Sequence, residues 1–86
     1  MVKGPKLKPG QVSLLCCDLN TGHVLKANGD LFMQTGNAFE TFDSFGEVEQ
    51  HISAILLNKP DIEFIVYGHD GEAVLSWSRL EKRKLR

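Results

Sequence analysis

From Ser44 to Asn58 the chain reads SFGEVEQHISAILLN, the one stretch with a sustained helical period. Phe45, Val48, Ile52, Ile55 and Leu56 recur at intervals of three and four, which puts them on one face of a helix of about four turns. Ser44 and Glu47 have capping-box spacing: the hydroxyl accepts from the amide of Glu47, and the Glu47 carboxylate reaches back to the amide of Ser44. Lys59-Pro60-Asp61 supplies the stop, because the residue before a proline is pushed out of helical geometry. One helix has one apolar stripe to bury, and every other apolar run here reads as strand. The fold class that follows is α+β, with a single helix packed on one face of an antiparallel sheet of four to six strands in the order ββ(β)(β)αββ.

The strands are set by alternation and turn chemistry. QVSLLCCDL at 11–19 is apolar on both faces, as a central strand would be. Asn20-Thr21-Gly22 turns it into a second strand at 23–27. Asn28-Gly29 is a strong hairpin signal, and 31–35 and 38–42 read as one or two further short strands before the helix. After the helix, 61–68 and 72–79 alternate around an Asp70-Gly71 turn and form a closing hairpin. The expected organisation is a flexible basic lead-in at 1–10, one domain at 11–79 and a basic tail at 80–86.

An 86-residue chain is one domain with a small core, and its 42% apolar content suits a folded chain. No apolar run approaches the roughly 20 residues of a membrane span, and MVKGPKLKPG lacks the apolar centre of a signal peptide, so the expected location is the cytoplasm. Cys16 and Cys17 agree with a reducing compartment: adjacent cysteines in a strand point to opposite faces and cannot close an ordinary disulfide. They read as small hydrophobes rather than a redox or metal-binding pair.

Charge is unevenly spread. Lys3, Lys6 and Lys8 mark one end, and Arg79, Lys82, Arg83, Lys84 and Arg86 against Glu81 mark the other. Between them lie ten of the 11 acids and only two lysines, Lys26 and Lys59. An acidic body with basic ends suggests two kinds of partner. Basic side chains beside an aromatic can grip phosphates and stack a base, so Lys3, Lys6, Lys8, Trp77, Arg79, Lys82, Arg83, Lys84 and Arg86 are candidate nucleic-acid contacts. The plainer reading is a solvated, frayed terminus, or a helical turn or two with Leu80 and Leu85 touching a neighbour. The acidic body itself could bind a basic partner, or merely keep the chain soluble.

Chemical motifs are absent. Asp18-Leu19-Asn20-Thr21-Gly22 begins like a calcium loop, but its twelfth position is Gly29 instead of a carboxylate, so a turn explains it. His23, His51 and His69 share no metal-ligand spacing, and no phosphate-binding glycine loop or nucleophile elbow occurs. No cofactor, metal or catalytic group is expected. The second face of the sheet, carrying Leu15, Cys17, Ile65, Tyr67 and Val74, would be an apolar patch larger than a small monomer normally exposes. The expectation is therefore a non-enzymatic protein-interaction module that binds a protein partner or self-associates as a homodimer through that face. Nucleic-acid binding is the alternative.

Overall fold

The computed structural model describes residues 6–20, 24–25 and 39–85. The strands are β1 (Val12–Asp18), β2 (Val24–Leu25), β3 (Glu40–Phe42), β4 (Ile62–Tyr67), β5 (Ala73–Trp77) and β6 (Lys82–Lys84), with the helix α1 (Phe45–Asn58) between β3 and β4. All pairings are antiparallel, and the sheet runs β2-β1-β4-β5-β6. Two strands share the outer edge of β1: β2 pairs with Cys16 and Cys17, and β3 with Val12 to Leu14. The α+β architecture of one helix on an antiparallel sheet is as the residue pattern predicts. The strand expected at 31–35 lies outside the described residues, while the one expected at 38–42 is present as β3.

The helix starts where the capping residues place it. Ser44 is in extended geometry and its Oγ accepts from the Glu47 amide at 3.2 Å. The return bond differs from the sequence expectation: Glu47 Oε2 accepts from the Asp43 amide at 3.2 Å, one residue earlier than a capping box requires. At the other end, Lys59 donates its amide to the Ile55 carbonyl at 2.8 Å before Pro60 turns the chain away.

Below the helix lies the main core. Val48 and Ile52 are fully buried against Val12, Leu14, Cys16, Ile62, Phe64, Val66 and Leu75, with Phe42, Ile55, Leu56, Val74 and Trp77 at its margin. The register explains the grouping, since Leu14 sits opposite Val66, Cys16 opposite Phe64, and Phe64 opposite Trp77. Burying these side chains supplies the main stabilising term for a chain this small.

The second face holds its own smaller cluster. Leu15, Tyr67 and Ala73 are buried there, with Cys17, Ile65 and Phe39 packed against them. Phe39 meets Tyr67 edge-on, ring centroids 5.2 Å apart. The face expected to lie open is thus closed over Leu15 and Tyr67 from within the chain. Val74 is on the wrong side for that face: it packs against the helix-side core. The reason is a β-bulge. Val66 pairs with Leu75, but Tyr67 pairs with Ala73, so Val74 is the extra residue and Ala73 takes its place beside Tyr67.

The bulge leads into a tight turn. Gly68 donates its amide to the Glu72 carbonyl at 2.9 Å, and Gly71 takes φ +86°, where a side chain would be strained. Residues near the N-terminus are tied to this turn, because Leu7 donates its amide to the His69 carbonyl at 2.7 Å. Residues 6–10, expected within a flexible lead-in, are therefore joined to the body; 1–5 lie outside the described residues. No helix among the described residues is long and apolar enough to cross a membrane.

Candidate docking groove

The C-terminal basic run is not a frayed tail or a helical turn. Lys82–Lys84 form β6, the outermost strand beside β5. Glu81 closes the hairpin by accepting the Ser78 amide at 2.8 Å, and Leu85 donates to the Val74 carbonyl at 2.9 Å. Three charged residues in a row show no apolar alternation, so the strand is held by its ladder rather than by a buried face.

Pairing sorts the charges. Lys82 lies opposite Trp77 and Lys84 opposite Leu75, which puts both lysines on the helix side of the sheet, and Arg83 lies opposite Ser76 on the other. The helix itself packs over β1, β3 and β4. A helix about 10 Å wide covers roughly two strands spaced about 4.8 Å apart. Among the described residues no helix lies above the β5–β6 end of this face, and a groove of about 560 Å³ opens there. Phe45 and Glu49 of α1 form one wall, Val74 and Leu75 the floor, Lys82 and Lys84 the other wall. Phe45, expected in the buried stripe, keeps 38% exposure at this wall.

Lys82 bridges the groove mouth. Its Nζ lies 3.0 Å from Glu49 Oε2 and 4.0 Å above the centre of the Trp77 ring. Arg79 pairs with Asp61 at 3.4 Å and Arg83 with Glu81 at 3.7 Å. Of the candidate nucleic-acid contacts, the structure brings together Trp77, Lys82 and Lys84. It sends Arg83 to the opposite face, and holds the segment of Lys6 and Lys8, through Leu7, at the His69 turn before β5, whereas Arg79 follows its far end. Lys3 and Arg86 lie outside the described residues.

Of the candidate protein-interface residues, Leu15, Cys17, Ile65 and Tyr67 do share the second face, with Cys17 and Ile65 half-buried. Polar groups share that face: Ser76 donates to Glu63 Oε2 at 3.2 Å, and Arg83 lies opposite Ser76. The thiols are held protonated. Burial, then the neighbouring Cys17 and Glu40, pushes Cys16 up to about 12, and burial with Glu63 raises Cys17 as well. A reactive thiol needs the reverse shift. His51 leans on the Phe42 ring, centroids 5.1 Å apart.

Sequence reasoning missed Phe45, Glu49 and Leu75 as groove residues. The stripe pattern assigned Phe45 to the core, and nothing in Lys82–Lys84 marks a strand. The usable signal was one of size, one helix against a sheet of four or more strands.

No protein-family profile matches the chain, and no solved structure matches it. A 49-residue stretch is 41% identical to a fumarate–(S)-2,3-diaminopropanoate ligase of Enterobacter agglomerans. The match covers 57% of this chain and only 12% of the ligase.

Proposed function

We propose that this domain is a non-enzymatic, cytoplasmic protein-interaction module whose docking surface is the groove between α1 and β6. The observation that carries the reading is the uncovered β5–β6 end of the helix face, where an exposed phenylalanine, Phe45, stands over an apolar floor of Val74 and Leu75. Concave surfaces with an apolar floor and a few polar groups at the rim are where proteins take ligands and partner segments. The free thiols of Cys16 and Cys17 suit the cytoplasm. The ligase likeness covers too little of either chain to bring an activity with it.

The other partner readings have less support. Self-association through the second face would need apolar area that Leu15 and Tyr67 no longer offer. Nucleic-acid binding would need several free cations side by side, and Arg79, Lys82 and Arg83 each have a carboxylate partner, while Lys84, unpaired among the described residues, stands on β6 and the segment of Lys6 and Lys8 is held at the His69 turn.

A photo-crosslinking phenylalanine analogue placed at position 45 tests the reading in the cells that make the protein. The expected result is a discrete crosslinked species from position 45 that is absent when the analogue replaces Ser53, exposed elsewhere on α1. Equal, diffuse labelling from the two positions would sink it. Sedimentation of the crosslinked species then separates a second copy from a different partner.

A further inference from the structure

Resting on the docking reading, we infer that the groove takes an acidic partner segment: a large apolar side chain seats on Phe45, Val74 and Leu75, with a carboxylate beside it at Lys84. The charges at the rim decide the sign. Glu49 and Lys82 neutralise each other at 3.0 Å. Lys84 makes no ion pair among the described residues, so it leaves one uncompensated positive charge at the rim of an apolar floor. Most of the body between the basic ends is rich in carboxylates, which disfavours an acidic segment there, and among the described residues this rim is where an unpaired cation stands beside an apolar floor.

The same charges argue against other occupants. A second β6 brought against the outer edge of β6 would set Lys82, Arg83 and Lys84 beside their own copies, the usual protection of an edge strand from self-pairing. An oligonucleotide would find one free lysine and a Trp77 ring already capped by Lys82. A basic segment would meet Lys84 head-on. An acidic segment with an apolar anchor satisfies both floor and rim.

The test uses fluorescence anisotropy with three labelled octapeptides, GEEFLEEG, GKKFLKKG and GEEGGEEG, and a labelled mixed-sequence single-stranded oligonucleotide. They are titrated against the full chain and its Lys84→Glu and Phe45→Ser variants. Circular dichroism confirms that each variant folds. GEEFLEEG is expected to bind at least about tenfold more tightly than either other peptide. Lys84→Glu should reverse the preference between the glutamate and lysine peptides, and Phe45→Ser should weaken GEEFLEEG by about tenfold. The inference is overturned if the lysine peptide binds as well, if Lys84→Glu leaves the acidic peptide unaffected, if no peptide binds up to millimolar concentration, or if the oligonucleotide binds most tightly. Crosslinking at position 45 without acidic-peptide binding would end this inference and leave the docking reading standing. Peptide binding without crosslinking would uphold the groove's preference for an acidic segment and remove the claim that a partner fills it in those cells.

Discussion

Ser13 shows how little a local pattern says about satisfaction. It sits on β1 between Val12 and Leu14, fully buried on the second face, and its Oγ has no hydrogen-bond partner among the described residues. A buried hydroxyl without a partner costs about 1–3 kcal/mol of desolvation. Ser13→Ala removes that cost at nearly constant volume, so it should raise the thermal midpoint, whereas most core substitutions lower it. A lowered midpoint would show that the hydroxyl is bonded after all. Cys16 supplies the pH dependence. Its thiol is raised from 9.0 to about 12 in the fold, chiefly by burial. Below pH 9 both folded and unfolded thiols keep their proton and nothing changes. Above it the unfolded chain ionises first and binds fewer protons than the native state, so stability falls with rising pH until about 12. Melting curves from pH 8 upward should show a steeper alkaline loss for the parent chain than for Cys16→Ala.

Among the elements, α1 and β6 stand at opposite extremes of legibility. The helix could be read from the sequence because a 3.6-residue period, a serine cap and a proline stop all agree. β6 could not, since Lys82–Lys84 has neither alternation nor β-branched residues; backbone pairing to β5 makes it a strand. Its inward side chains still matter. Lys82 covers the chain's single tryptophan at 4.0 Å while reaching Glu49. Lys82→Ala should move Trp77 emission to longer wavelength and increase its quenching by acrylamide. The stability change should stay below about 2 kcal/mol, because an exposed ion pair and an exposed cation–π contact are each worth about 1 kcal/mol or less. Unchanged emission would mean that the lysine does not shield the ring in solution. The bulge at Val66/Tyr67 is the other element-scale surprise: strict alternation assigns Val74 to the second face, and one inserted residue returns it to the core.

At the scale of the whole molecule, the helix α1 fastens the main core among the described residues. Val48 and Ile52 are its fully buried anchors, and a chain of this length leaves a large fraction of its surface in water. Ile52→Ala should cost about 2–5 kcal/mol, a large share of the 5–15 kcal/mol that holds an ordinary domain together. Urea denaturation is expected to show a much lower midpoint with an unchanged slope. A loss below about 1 kcal/mol would mean that α1 is not what closes the helix side of the sheet. The groove follows from the same geometry: the helix is too narrow for the sheet beneath it, and the strands beyond its reach carry apolar side chains as well as charged ones.

By itself the sequence determined the helix with its serine cap and proline stop, the closing hairpin, the assignment of Cys16 to the core and the acidic body between basic ends, because each is written in the spacing or charge of neighbouring residues. Tertiary structure alone decided that Leu15 and Tyr67 are covered, that Val74 changes sides, that Lys82–Lys84 pair as an edge strand, and that Phe45 stands over an open groove. Each of these depends on which distant residue lies opposite, Tyr67 across from Ser13 or Lys84 across from Leu75, and register between remote strands is set by the packing of the whole sheet.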